Sequence, residues 1–112
     1  MPPRGLELVK GTLDVLILKT LSWGPMHGYG VSRWIRERTD GVLAVEDAAL
    51  YQALHRLERR KWVLAEWGIS ENNRRAKFYQ LTALGRKQLL SEDTEWRTYA
   101  RAVFLVLEAE SV

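Results

Sequence analysis

In this chain of 112 residues the spacing of the apolar residues changes from a helical to a strand pattern at Trp62. Before it, Leu50, Leu54 and Leu57 recur at intervals of four and three residues, which places them on one face of a helix. After it, every second residue of Val63–Ile69 is apolar, as in a strand with one buried face. The chain is therefore predicted to be mainly α with a small β-hairpin, and its length leaves room for one hydrophobic core.

The second half of the hairpin is predicted from the residues that follow this strand. A polar segment, Ser70–Arg75, separates it from Ala76–Leu81, which has the composition of a returning strand. Two strands joined by a short polar loop indicate a β-hairpin. Its tip is expected to carry positive charge.

Three helices are predicted before the hairpin. Thr12 is a candidate cap for the first, whose nearly continuous apolar residues up to Leu21 indicate burial on most sides. A second helical pattern lies between His27 and Thr39. The third begins near Glu46, because acidic residues favour the positive end of a helix.

The third helix has a polar face opposite its leucines. Two rows with a spacing of four residues make up this face: Tyr51, His55 and Arg59, and beside them Gln52, Arg56 and Arg60. Their side chains supply cations, hydrogen-bond donors and one aromatic ring. Such a face is expected either to be solvated or to contact a polar, anionic partner.

A long last helix is predicted after Thr82, which is its candidate cap. Carried almost to the end of the chain, it would have roughly 30 residues and a length of about 45 Å. Its apolar residues recur every seven positions and form a candidate dimer interface: Leu89, Trp96, Tyr99, Ala100, Val103, Val106 and Leu107. Because Ala102–Leu107 is apolar nearly all round, we expect the first helix and a second subunit to cover it.

The order helix, helix, amphipathic helix, hairpin, helix is the pattern of a winged helix-turn-helix domain followed by a long C-terminal dimerisation helix. We assign residues 1–82 to the DNA-binding domain and residues 83–112 to the dimerisation helix, which packs with the first helix into one compact unit. A helix of this size fits the major groove of B-DNA, while a hairpin beside it reaches the phosphate backbone or the minor groove.

The charge is distributed unevenly along the chain. Residues 42–90 carry nine basic and five acidic side chains, whereas residues 91–112 carry two basic and five acidic ones. Positive charge is thus concentrated on the third helix and the hairpin, as contact with DNA phosphates requires. Nine residues are candidates for DNA contact: Ala48, Tyr51, Gln52, His55, Arg56, Asn73, Arg74, Arg75 and Lys77.

Four segments resemble the PadR family of bacterial transcriptional regulators. They are Gly11–Asp14, Gly24–Tyr29, Leu50–Glu58 and Tyr79–Gly85, and the resemblance extends from about Leu8 to Ala100. It implies a dimeric winged-helix repressor of the short form, in which a single C-terminal helix makes the dimer. Such a dimer would place two third helices in the major groove about 34 Å apart, which predicts a roughly palindromic site. Because some relatives bind flat aromatic ligands between the helices of the dimer, Trp96 and Tyr99 are candidate effector contacts.

Two positions depart from the family pattern. Gln52 stands where the family often has proline, and Trp62 stands where a glycine or a smaller apolar residue is more usual. Since Gln52 lies on the predicted DNA-facing side, the operator sequence is not transferable from relatives.

Other functional classes find little support in the residues. The chain has no cysteine, and its only histidines, His27 and His55, lack neighbouring carboxylates at metal-ligand spacing. We therefore expect no enzyme activity, no metal and no cofactor. Without a signal peptide or a membrane-spanning stretch, a soluble cytoplasmic protein is expected. The competing interpretation is a winged-helix adaptor whose basic face binds an acidic protein.

Overall fold

A computed structural model describes residues 11–111 of the chain; the part of the predicted DNA-binding domain before Gly11 lies outside it. Four helices and three strands follow in the order α1 (Thr12–Leu21), β1 (Met26–His27), α2 (Gly28–Arg38), α3 (Asp47–Arg59), β2 (Val63–Ile69), β3 (Arg75–Leu81) and α4 (Ala83–Leu107). The predicted order of helices and hairpin is confirmed.

The core lies where the first three helices meet the base of the hairpin. Leu50, Leu54 and Leu57 of α3 are fully buried, as their spacing predicted, and pack with Ile17 and Leu18 of α1. Complete burial of one leucine side chain stabilises the fold by about 1.5–3 kcal/mol. This stripe therefore determines which face of α3 points outward.

The sheet has one strand that the sequence pattern did not indicate. β3 is its central strand, paired antiparallel with β2 along the hairpin and with β1 on the other edge. In β1, Met26 pairs with Tyr79 and His27 with Phe78. Two residues are too few to show a periodicity, so only the tertiary contact with β3 reveals this strand.

The hairpin forms the wing, which extends beyond the core. Val63 is buried and Ala65 is half-buried, but Trp67 and Ile69, on the same face of β2, are 61% and 64% exposed. The prediction of a strand with one buried face is thus correct only for its first half. Past Ala65, the apolar face of β2 is open to solvent.

Side chains cap two of the helices: the predicted cap at Thr82 is present, and His27 caps α2, which the sequence pattern did not indicate. His27 Nδ1 accepts a hydrogen bond from the Gly30 amide (3.0 Å), and Thr82 Oγ1 accepts one from the Gly85 amide (2.9 Å). Thr12 does not cap α1. Gly11 occupies the capping position in a left-handed conformation, with φ 88°, which glycine adopts without steric cost.

Gly85 allows α4 to pass close to the end of α3. A Cβ atom at Gly85 would overlap the carbonyl oxygen of Trp62 and lie 2.8 Å from Leu81 Cδ1. The same Trp62 carbonyl accepts a hydrogen bond from the Thr82 amide (3.0 Å). The start of α4 is therefore held against the α3–β2 junction by contact between backbones.

α4 has 25 residues, about 37 Å at 1.5 Å per residue, and is shorter than predicted. The Nε1 of Trp96 donates a hydrogen bond to Thr12 Oγ1 of α1 (3.1 Å). Residues 101–111 are all exposed, so the expectation that α1 covers Ala102–Leu107 is wrong. α1 contacts α4 at Trp96, and α4 continues beyond that contact.

An ion pair connects α1 to α3. Arg56 Nη2 donates a hydrogen bond to Asp14 Oδ1 at 2.6 Å, and the Asp14 side chain is only 13% exposed. The pair lies on the flank of α3, beside its leucine stripe. It helps to determine how α3 is oriented against α1.

Because little of the Asp14 side chain is exposed, the coupling free energy between Asp14 and Arg56 is expected to exceed that of an exposed ion pair with the same N–O distance. A double-mutant cycle with Asp14→Ala and Arg56→Ala should give a coupling free energy of about 1.5–3 kcal/mol in urea unfolding. The matched control is Arg97–Asp93, also 2.6 Å apart but with side chains 75% and 47% exposed. Its coupling should stay below about 0.5 kcal/mol, and equal coupling in both pairs would contradict this account.

Glu92 of α4 occupies an unfavourable site beside α1. Its Oε2 is buried and has no hydrogen-bond partner within residues 11–111. Burial raises the pKa of Glu92, and the carboxylates of Asp14 and Glu95 raise it further, whereas Gln88 and Arg60 lower it. The ionised side chain therefore opposes folding.

Glu92→Gln is expected to stabilise the protein at pH 7. A raised pKa means that the folded chain binds the proton more tightly, so the wild-type free energy of unfolding falls as the pH rises through that pKa. The variant should be more stable than the wild type at pH 7 and equally stable at pH 3, as measured by urea unfolding. Glu71→Gln, at an exposed loop position, is the control and should show no such pH-dependent gain.

Candidate nucleic-acid interface

The outward face of α3 is the centre of the candidate site. With the leucines buried, the side chains that remain exposed on α3 include Ala48, Tyr51, Gln52, His55 and Arg59. Four of the predicted DNA contacts are among them. The small Ala48 is exposed in the first turn of the helix.

Tyr51 lies across the start of α2. A Cβ atom at Gly28 would be 2.9 Å from both Cε1 and the hydroxyl of Tyr51, so the absence of a side chain at Gly28 makes room for the ring. The Tyr51 side chain is nevertheless 44% exposed. Its hydroxyl is thus placed between α3 and the amino terminus of α2.

The tip of the wing is a closed loop. Ser70 N donates to Arg74 O (2.8 Å), and Asn73 N donates to Ser70 O (2.9 Å). Asn73 is left-handed with φ 58°, a conformation that asparagine tolerates better than most residues. Asn73 therefore shapes the loop that presents Arg74 and Arg75 to solvent.

A cleft of about 440 Å³ separates the wing from α3 and the start of α2. Aromatic and basic side chains line it, among them Tyr29, Tyr51, His55, Trp67, Arg75 and Lys77. Tyr79 also lines the cleft, and burial, with Glu58 and Tyr51 nearby, raises its pKa above the ordinary value. Its hydroxyl is therefore neutral at physiological pH and able to donate a hydrogen bond.

The cations of the site differ in how far they are already paired. Lys77 Nζ lies 3.7 Å from Glu58 Oε1 of α3, and Arg56 is bound to Asp14. Within residues 11–111, Arg74 and Arg75 form no ion pair. The wing arginines are thus the predicted cations most available to an anionic ligand.

The nine predicted contacts lie along the cleft, on the outer face of α3 and at the wing tip, and His55 borders both the cleft and the α3 face. Tyr51, His55, Arg75 and Lys77 line the cleft. Gln52, His55, Arg56 and Arg59 surround a shallow depression of about 490 Å³ on α3. Asn73 and Arg74 lie at the wing tip and Ala48 in the first turn of α3.

Sequence reasoning missed two aromatic residues of this surface, Tyr29 and Trp67. The alternation of β2 predicts Trp67 on a buried strand face, and Tyr29 falls within the second helical pattern, between His27 and Thr39, with no site role assigned to it. Both are about 60% exposed. The only available signal was that aromatic side chains continue next to basic ones, which does not distinguish packing from ligand contact.

A second candidate site involves Trp96 and Tyr99 on α4. Together with Thr12, Val15 and Glu92 they line a cavity of about 420 Å³ between α1 and α4. Trp96 also borders a cavity of about 360 Å³ on its other side. The two candidate effector contacts therefore share one cavity within a single chain.

Residues 11–111 contain neither a metal-binding cluster nor a membrane-spanning helix. No group of three or more histidines and carboxylates is arranged to hold a metal ion. In the same range, no helix has the length and apolarity that a membrane span needs.

Comparison with known proteins agrees with this architecture. The model of the transcriptional regulator PadR-like family matches residues 17–91. An uncharacterised protein of Lysinibacillus sphaericus is 28% identical over 102 residues, which cover 91% of this chain and 94% of that protein.

Solved structures give the same result. A transcriptional regulator from Clostridium thermocellum has 30% identity and a TM-score of 0.76, over 84% of this chain and 88% of that one. A PadR-like transcriptional regulator from Bacillus cereus has 25% identity and a TM-score of 0.76, over 90% and 96%. The predicted winged-helix fold is confirmed, and since the family model matches more than half of the residues, the chain belongs to the PadR-like family of transcriptional regulators.

Proposed function

We propose that this transcriptional regulator binds double-stranded DNA sequence-specifically, as a homodimeric repressor of a palindromic operator. The observation that carries the proposal is the single exposed surface that α3 and the wing form together. It combines hydrogen-bonding side chains on α3 with Arg74 and Arg75, which form no ion pair within residues 11–111. DNA offers the matching chemistry, because base edges lie in the groove between two rows of phosphates.

In this arrangement α3 enters the major groove. Gln52 and His55 supply the donors and acceptors that read base edges, and glutamine suits adenine. Ala48 lets the helix backbone come close, and the Tyr51 hydroxyl bonds a phosphate. The wing lies on the backbone or the minor groove, where Asn73 and the two arginines meet phosphates.

Arg56 and Lys77 have a second role in this proposal. Both are candidate phosphate contacts, and both already hold an acidic partner, Asp14 or Glu58. Contact with a phosphate exchanges one anion for another, so each is expected to add less affinity than an unpaired arginine. Their pairs also hold α3 and the wing in the position for binding.

The dimer is formed through α4. Tyr99, Val103, Val106 and Leu107 are 38–77% exposed in the single chain, and large apolar side chains exposed in a row favour association. Leu89 and Ala100 are half-buried at the edge of this row. Two α3 helices related by a two-fold axis would reach half-sites about 34 Å apart, which explains why a palindrome is expected.

A small aromatic effector is proposed for the cavity at Trp96 and Tyr99. The cavity has the volume of a small-molecule site, and its aromatic walls suit a flat ring. Because α1 contributes to this cavity and is linked to α3 by Asp14–Arg56, a ligand there is positioned to change the orientation of α3.

The DNA proposal predicts different outcomes for phosphate and base contacts. Arg74→Ala should reduce the slope of log affinity against log salt by about 0.9 and weaken binding to every duplex alike. Gln52→Ala should keep the slope but lower discrimination between a selected duplex and a base-substituted one, by about 1–3 kcal/mol. Fluorescence anisotropy with duplexes selected from a random pool measures both effects.

The control is Arg36→Ala, an exposed arginine in the last turn of α2, outside the proposed surface. It should leave the salt slope unchanged. Absence of duplex binding, together with salt-sensitive binding to an acidic protein, would replace the proposal by the adaptor interpretation.

Val106→Asp is expected to convert the dimer to a monomer, because it places a charge at a side chain that the second subunit would bury. Light scattering at micromolar concentration should report a dimer for the wild type and a monomer for the variant. Thr98→Asp adds the same charge at an exposed polar position of α4 and should remain dimeric. A monomeric wild type would contradict the proposed assembly.

A further inference from the structure

The exposed indole of Trp67 has no role in the hydrophobic core. Trp67 lies in β2 directly opposite Lys77 of β3, and Ile69 lies opposite Arg75. Directly paired residues point to the same side of a sheet, so these four side chains share the face that borders the cleft. Trp67 is therefore an apolar ring set among the cations of the wing.

Trp67 contacts Arg75 rather than its direct partner. The guanidinium carbon of Arg75 lies 4.7 Å from the centre of the Trp67 ring, whereas Lys77 Nζ lies over the Tyr79 ring and near Glu58. An arginine over a tryptophan face at this distance is a cation–π contact. Within residues 11–111, Trp67 is the only aromatic ring that the Arg75 guanidinium contacts in this way.

We propose that Trp67 is a positioning residue, which holds the guanidinium of Arg75 at the cleft so that it binds a phosphate of the DNA backbone. This inference rests on the proposed function. A flat guanidinium on the indole face keeps its N–H groups at the edge, free to donate to phosphate oxygens. The side chain then loses less conformational freedom on binding than an unsupported arginine does.

The surroundings of Arg75 favour a phosphate as its ligand. The cleft also contains the Tyr51 hydroxyl, His55 and Lys77, all of which donate hydrogen bonds to an anion. Both Trp67 and Arg75 are exposed, so the contact is accessible to a duplex that lies along α3.

The test measures DNA affinity over a range of salt concentrations for Trp67→Ala, Trp67→Phe, Arg75→Ala and the double variant Trp67→Ala/Arg75→Ala. Trp67→Ala is expected to weaken binding by about two- to fivefold. It should also remove part of the salt slope of about 0.9 that Arg75→Ala removes. Trp67→Phe, which keeps an aromatic face, should restore most of the affinity and slope.

The double variant separates positioning from direct contact. If Trp67 acts through Arg75, the double variant should bind like Arg75→Ala alone. The matched control is Trp23→Ala, because Trp23 is 69% exposed and also carries a cation, Lys19 Nζ at 5.0 Å, but lies outside the cleft. It should bind like the wild type, and thermal unfolding checks that every variant is folded.

Several results would overturn the inference. One is a salt slope for Trp67→Ala that equals the wild-type slope. Another is that Trp67→Ala lowers the affinity of Arg75→Ala as much as it lowers the affinity of the wild type, because this would indicate a direct apolar contact of Trp67 with DNA. In both cases wild-type binding and the Arg74→Ala effect would persist, so the proposed function would stand. A wild type that binds no duplex would overturn both the inference and the proposed function.

Discussion

Burial of the α3 leucine stripe is the constraint on which the rest of the structure depends. Leu50, Leu54 and Leu57 are fully buried between α1 and the base of the hairpin, so the opposite face of α3 has to point outward. This orientation removes the leucine side chains of α3 from water. The polar side chains that follow the leucines at helical spacing are thereby gathered on one accessible surface.

The wing completes this surface because the outer half of the hairpin extends beyond the hydrophobic core that buries its base. Its base contributes Val63 and Leu81 to the core, while its outer half carries Trp67 and Arg75 past the edge of the packed helices. A strand has a fixed alternation of faces, so the outer half points the same way as the base. The wing therefore faces α3 across a cleft instead of lying in solvent on its own.

The ion pair of Asp14 with Arg56 and the contact of Trp96 with Thr12 connect this surface to α4. α1 takes part in both contacts and thus lies between the proposed dimer helix and the proposed DNA-binding helix. Glu92, whose ionised form opposes folding, lies in the same region. A regulator needs such a connection if an event at α4 is to change the orientation of α3.

The sequence by itself determined the order of the four helices and the hairpin, the leucine stripe of α3, the cap at Thr82, and the concentration of basic residues on α3 and the wing. These features depend on the spacing and the chemical type of residues that are close together in the chain, and both can be read directly from the sequence. Only the tertiary structure decided that Arg56 meets Asp14, that Lys77 meets Glu58, that β1 joins the sheet, and that Trp67 stays exposed beside Arg75. Each of these depends on residues far apart in the chain, or on where the core ends along a strand, and local spacing carries no information about either.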